Sequence, residues 1–427
     1  MLNHVARLLR LSWLVTALAL LTLTACGHEQ VASGQTSSND WPCFRGPTGQ
    51  GVSSAKVAPP VEFGDSKNIE WKVPLPGPGT SSPVVWNDRI YITCYTGGPD
   101  NPTRHLIALR RDNGKEIWSV PIKAKLPEQE KIREGHGYAS STPAADQHGV
   151  VCFFGKTGVV AFDHNGKEQW TADVGSGLSG WGSAASPVIF NNLVIINASV
   201  ESESLIALNR KTGDKAWSVG GIKESWNTPI IVSVDGKYEL VVAMLGKIQG
   251  LNPETGSQLW NCDTDITWYM VPSLVAHEGV VYALGGRSGI AGLAVKAGGK
   301  GDVTKTRRLW TSRKGSNVTS PIYYEGHLYW MHDNLGIAYC AKADTGEIVY
   351  ENRIERAGQV YGSPVLVNGL IYQTSRDGRV YVIAARTQFE LVATNRLEER
   401  GMFNSCPAVV DGRLFIRSDK FLYCIGK

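Results

Sequence analysis

His136 stands between glycines in Gly135-His136-Gly137-Tyr138, and Trp181 does the same in Gly180-Trp181-Gly182. An imidazole can take a proton or bind a metal near neutral pH. Metal binding would need a Cys, Asp or second His at ligand spacing, which His136 lacks. Base catalysis would need a partner within hydrogen-bond reach, which a sequence does not display. Asp263 and Asp265, in Cys262-Asp-Thr-Asp265, could attract a cation. Calcium takes about six to eight oxygen ligands, however, and an exposed turn after Trp260 explains the pair as well. Apart from Cys26, seven cysteines remain, Cys43, Cys94, Cys152, Cys262, Cys340, Cys406 and Cys424, with no adjacent pair and no Cys-x-x-Cys. Most sit inside strand patterns and read as small buried hydrophobes, and their odd number leaves at least one unpaired within the chain. Neither a Gly-x-Ser-x-Gly elbow nor a His-Glu-x-x-His pair occurs. No catalytic residue and no metal site is expected.

What must position these residues is a repeat. Ser82-Pro83, Thr142-Pro143, Ser186-Pro187, Thr228-Pro229, Ser320-Pro321 and Ser363-Pro364 recur, with Val271-Pro272 and Cys406-Pro407 as degenerate copies. The prolines step by 60, 44, 42, 43, 49, 43 and 43 residues. Periods of this length mark propellers or solenoids. Each unit then carries an apolar strand, a polar turn with Gly, and an aromatic, as in Leu106 to Gly114 and Trp118, or Leu205 to Gly213 and Trp217. Short runs rich in Val, Ile and aromatics, bounded by Asn/Asp/Gly turns, are strand signals, at about four per unit. Four antiparallel strands repeated radially make a propeller blade.

The expected fold is therefore all-β: an eight-bladed propeller of four-stranded blades. A proline cannot donate to a ladder, so it suits the innermost strand, an edge lining the central channel. Trp71, Trp118, Trp170, Trp217, Trp260 and Trp310 read as apolar plugs between blades, since a buried aromatic hides about 150–250 Å². Only three strands fit after Pro407, and residues 68–73 supply the fourth, so the N-terminal strand closes the last blade and removes the open edges.

The chain carries 43 basic and 39 acidic residues, a net charge of +4. It has no Lys/Arg run of the kind that marks a nucleic-acid face, and nucleic acid is excluded as a partner. Arg7 and Arg10 precede an apolar stretch, Leu11 to Leu23, of secretory-signal length. The segment ends in Leu23-Thr24-Ala25-Cys26, which resembles the bacterial lipoprotein box. That resemblance implies acylation of Cys26 and a stable anchor through several acyl chains. The expected organisation is a signal peptide over 1–25, a flexible tether over 26–39, an N-terminal extension over 40–67 and the propeller over 68–427.

The unit Leu-x-Ala-Leu-x-x-x-Thr-Gly-x-x-x-Trp resembles the repeat of pyrroloquinoline quinone (PQQ) dehydrogenase propellers and their non-enzymatic relatives, across residues 68–427. Its size, single propeller and lipoprotein box look most like the BamB-type lipoproteins of the outer-membrane barrel assembly machine. Trp41-Pro-Cys-Phe-Arg-Gly-Pro47 is similar to the opening of PQQ-like propellers common in planctomycetes. The first resemblance implies a monomeric scaffold without cofactor, anchored by lipid in the bacterial envelope, at the outer membrane facing the periplasm, and bound to a protein partner there. The alternative it implies is a PQQ-dependent dehydrogenase or a small-ligand-binding propeller. Such enzymes hold PQQ on Ca²⁺ beside an Asp base, between a Trp and a disulfide of adjacent cysteines, and this chain lacks the adjacent cysteines.

If the Pro-bearing strand is innermost, the residues three before each Pro sit at one channel mouth: Thr80, Ser140, Ala184, Trp226, Tyr269, Val318, Tyr361 and Asn404. With His136 and Trp181 slightly upstream, they form a candidate binding mouth. The competing expectation, which the frequency of aromatics as packing anchors favours, is that these rings plug the narrow axis.

Overall fold

The computed structural model describes residues 40–427 apart from 65, 134 and 398–400. Its strands fall into eight sheets, one per sequence unit. In blade 1, Val84–Trp86, Arg89–Thr96, Thr103–Arg110 and Glu116–Lys123 pair antiparallel in chain order. Blades 2 to 7 repeat that meander. Inner strands such as Val84–Trp86 and Val365–Val367 are buried throughout, whereas the outer Glu116–Lys123 alternates in and out. The pattern follows from position, because an inner strand has neighbours on both faces and an outer one meets water. Several first hairpins turn on Asp-Gly or Asn-Gly pairs, such as Asp235-Gly236 and Asn368-Gly369, with positive φ at both residues. Such type I′ turns match the right-handed twist of the strands they join.

The chain ends close the ring. Blade 8 is built from Ala408–Val410, Arg413–Arg417 and Phe421–Ile425, and its outer strand is Ile69–Pro74. Trp71 stands opposite Cys424 there, and Glu70 takes Arg413 Nε at 2.8 Å. Contacts between the first strands of blades 1 and 8 complete the circle.

Two circumferential systems bind blade to blade. At the rim, each expected Trp docks on the next blade. Trp118, Trp170, Trp217 and Trp310 donate Nε1–H to His164, Arg210, Pro253 and Ala343 carbonyls at 2.9–3.1 Å. Their rings lie on the turn glycines of that blade. A Cβ on Gly213 would come within 2.7 Å of Trp170, and one on Gly256 within 2.7 Å of Trp217. Trp260 departs from this scheme because the blade 5 turn is enlarged by residues 297–307. It donates instead to Glu239 Oε2 at 2.6 Å, and Gly301–Asp302 pairs in parallel with Trp260 and Asn261.

At the axis, the residue before each repeat proline donates its backbone N–H to the equivalent side chain of the next blade. The links run Ser82 to Thr142, Ser186, Thr228, Ser273, Ser320, Ser363 and Cys406, and return to Ser82, each 2.9–3.1 Å long. This ring corrects the expectation for blade 5. Ser273 is the equivalent residue and Leu274 takes the proline place, so Pro272 is two residues out of step with the other copies. The inner strand starts at Val275, two residues after Ser273, as Val84 follows Ser82.

The extension before the propeller crosses one end of the channel. Trp41 exchanges two 2.9 Å backbone hydrogen bonds with Val85 of blade 1, and Pro42 accepts from Ala145 of blade 2. Gln50 Oε1 accepts from Ala276 of blade 5, while Val52–Ser53 adds a parallel strand to Leu366–Val367 of blade 7. Arg45, fully buried, donates Nη2–H to Pro321 O of blade 6 at 2.5 Å.

Candidate functional site

The connections that enter the inner strands surround a cavity of about 200 Å³ on the axis. His136, Ser140, Trp181, Trp226, Tyr269, Tyr361 and Asn404 all line it, as do Thr80, Ala184 and Val318. In blade 5 the position equivalent to Trp226 is Val271, and Tyr269 reaches the cavity from two residues upstream. The aromatics do not fill the axis. Trp181, Trp226 and Tyr269 gather on one side, with Tyr269 5.3 Å from Trp181, 5.6 Å from Trp226 and 5.1 Å from Trp268 between centroids, while Tyr361 of blade 7 stands apart from them against Arg376. Phe44, from the N-terminal extension, lines both this cavity and a groove of about 90 Å³ beside the inner strands of blades 2 to 4. The axis is therefore blocked by the extension and open at the mouth.

His136 is held in place by its glycines. A Cβ on Gly182 would lie 2.8 Å from the imidazole, and Gly137 adopts φ +72°. Nδ1 lies 3.1 Å from Gly137 O and 2.9 Å from Ser140 Oγ, and Ser140 Oγ–H donates to His136 O at 2.8 Å. Burial lowers the imidazole pKa below its usual range, against a smaller opposing effect of the Gly137 carbonyl. A neutral ring with Nδ1–H facing Gly137 O satisfies these contacts. The serine proton then goes to a backbone carbonyl, so Ser140 is not set up as a nucleophile.

Three arginines stack on aromatics around the mouth: Arg133 on Trp181 at 4.4 Å, Arg287 on Trp268 at 4.8 Å and Arg376 on Tyr361 at 4.3 Å. Arg376 also fixes Asn404, donating Nε–H to its Oδ1 at 3.0 Å. The cavity's one lining carboxylate among the described residues is Asp333. It accepts from Asn334 Nδ2 at 2.5 Å, with His332 Nδ1 3.3 Å away. Behind the wall between blades 2 and 3, Glu201 is 5 % exposed and accepts from Ser183. Its Oε2 has no partner among the described residues, and burial raises its pKa to about 7.

The sequence did not single out Phe44, Arg45, Arg133 or Arg287. A signal existed for the first two in the Trp41–Pro47 motif, but nothing in the repeat assigns that motif a place. Asp263 and Asp265 lie away from the cavity and face cations already, Lys247 at 3.8 Å and Arg308 at 2.6 Å. The cysteines of the described residues are all unbonded, and no group of three His, Cys, Asp or Glu there is placed to hold a metal. Calcium needs about six to eight oxygens. With Asp333 already engaged and no pair of adjacent cysteines, the residues present do not fit a calcium-held quinone. Cys26 and the leader lie outside the described residues.

Fold and site together define a PQQ-like eight-bladed propeller with a one-ended axial cavity. The family model described as Outer membrane protein assembly factor BamB matches residues 102–352, and the chain belongs to that family. Quinoprotein alcohol dehydrogenase PedH of Pseudomonas putida is 35 % identical over 130 residues. That match covers 28 % of this chain and 20 % of the enzyme's length. Among solved structures, BamB from Moraxella catarrhalis superposes with a TM-score of 0.59 at 16 % identity, covering 83 % of this chain and 96 % of that one. A europium-containing methanol dehydrogenase gives 0.65 at 11 % identity, covering 92 % and 98 %. At these identities the structural likeness shows the fold alone.

Proposed function

We propose that the protein is a non-enzymatic propeller scaffold, anchored through Cys26 in the bacterial envelope, that binds a protein partner with its mouth face in the manner of BamB-type assembly factors. The observation that carries this reading is where the exposed apolar side chains lie. In an antiparallel blade, the connections into each inner strand and the turns between second and third strands share one face. Of the eleven exposed large apolar side chains among the described residues, six fall in those loops, Leu126, Leu178, Trp181, Leu245, Trp268 and Leu335; the other five, Val57, Ile117, Leu309, Leu391 and Val392, are spread over the extension and the outer strands of blades 1, 5 and 7. Apolar side chains gathered on one face of a soluble domain mark an interaction site, whereas scattered ones need no explanation. The outer-membrane assembly role rests on the family and on the leader.

The test is co-purification from detergent-solubilised membranes. The parent chain should recover a barrel-assembly subunit, and Leu178→Asp with Trp268→Asp should lose it while melting normally. Equal recovery by the double variant, or no such subunit at all, would refute the docking face. Cys26→Ser should move the protein to the soluble fraction. Turnover of an alcohol in a dye-linked assay after adding PQQ and Ca²⁺ would favour the dehydrogenase reading instead.

A further inference from the structure

The floor of the axial cavity has a one-sided chemistry. Ser82, Thr142, Thr228, Ser273, Ser320 and Ser363 of the hydrogen-bonded ring all line it. Each of those oxygens already accepts a backbone N–H from the neighbouring blade. A hydroxyl that accepts still owns one donor proton; those of Ser82 and Ser363 face the Cys406 sulfur, and those of Thr142, Thr228, Ser273 and Ser320 have no acceptor among the described residues. The floor thus offers an arc of four O–H donors around the axis, and the cavity's one lining carboxylate among the described residues, Asp333, is already held by Asn334.

Arg45 lies under the same floor. Its Nη2 is bound to the carbonyl of Pro321, the residue after Ser320, and to Gln50 O at 2.9 Å. Its charge is felt by Cys406, whose side chain lines the cavity. The guanidinium is 0 % exposed, and its Nε and Nη1 have no partner among the described residues. A cation without a carboxylate, carrying orphan donors in a low-dielectric site, is costly to bury unless an acceptor or anion arrives. Above the floor, Trp226 and Tyr269 supply an apolar wall on one side. The volume suits a single small ring rather than a drug-sized molecule.

We infer that the axial cavity binds a small organic anion, its oxyanion head seated on the Ser/Thr ring above Arg45 and its body against Trp226 and Tyr269. The site goes beyond the docking reading and stands whether or not the mouth face holds a protein. Carboxylate and phosphate monoester heads share the required chemistry.

The experiment is a tryptophan-fluorescence and calorimetric titration of the full chain with benzoate, phenyl phosphate, inorganic phosphate and, as the neutral match, benzamide. The inference expects benzoate or phenyl phosphate to bind at least about tenfold more tightly than benzamide. Inorganic phosphate alone should bind more weakly than phenyl phosphate, because it leaves the aromatic wall unused. Thr228→Val with Ser320→Ala should weaken the anions by about tenfold and leave benzamide unchanged. Arg45→Met should abolish the preference, and the hydroxyl variants carry the test if that chain does not fold. Arg287→Gln, at the mouth, should change anion affinity by less than either floor variant. Benzamide binding as well as benzoate would overturn the assignment. So would loss on Arg287→Gln alone, or a panel in which nothing binds, leaving a cavity that holds water only.

Discussion

Rim and axis of the same disc are built to opposite rules. At the rim, four indoles each find a carbonyl in the next blade and a glycine under the ring, so polar and apolar demands are met together. Toward the axis, Arg45, Asn197, Asn317 and Gln373 each leave a buried polar atom unpartnered among the described residues, as does Glu201 behind the wall between blades 2 and 3. Buried polar atoms are ordinarily satisfied, and exceptions gather where function needs them. The rim is not uniform either, since Trp71 at the closing blade keeps an unpartnered Nε1. The contrast teaches that the periphery fixes the shape while the centre keeps chemical capacity in reserve.

The largest test of the contrast is a pair of tryptophan truncations. Trp170→Ala should cost about 3–5 kcal/mol, the range for emptying a packed aromatic site, read as a fall in denaturation midpoint. Trp226→Ala, on the cavity wall, should cost clearly less and instead remove the ligand-dependent fluorescence change. Equal destabilisation would erase the distinction between stapling and lining.

Next in size is a pH effect. Glu201 titrates at about 7 in the folded chain and near 4.5 when unfolded, so the native state favours the protonated carboxyl. Stability is then full below the unfolded value, falls as pH rises from about 4.5 to 7, and levels off above. The loss amounts to roughly 3 kcal/mol. Glu201→Gln should therefore exceed the parent in stability at pH 8 and match it at pH 4, measured by urea unfolding. Ser183 is its hydrogen-bond partner and Glu128, paired with Arg104 at 2.6 Å, its charged neighbour; a slope that survives the substitution would point to another group.

A smaller effect separates two glycines with similar backbones. Gly213, at φ +76°, has no room for a Cβ beneath Trp170, while Gly301, at φ +68°, has open space around it. Gly301→Ala should cost only about 1 kcal/mol of backbone strain, and Gly213→Ala should cost more by the displaced ring. Smallest of all, Ser273→Ala should remove a single ring link worth about 0.5–1.5 kcal/mol. A collapse of cooperative unfolding on that change would show that the links act as one unit.

The sequence was most legible where the repeat speaks. The eight units, the stapling tryptophans and the closing N-terminal strand follow from spacing, because each unit faces the same packing problem. The mouth residues followed too, since position relative to the inner strand places them on the axis. Blade 5 misled because Leu274 holds the proline place and Pro272 mimics it two residues early. The floor was illegible for another reason. Arg45 meets Pro321 across 276 residues, and no periodicity encodes a contact made once. The neutral tautomer of His136 likewise depends on carbonyl positions that only the folded backbone sets.

Phe44 gives the chamber a single doorway, and that doorway opens on the face assigned to the partner. A seated protein would then act as a stopper: whatever small molecule lay inside would be imprisoned for the lifetime of the complex, and its escape would keep the partner's timetable rather than its own.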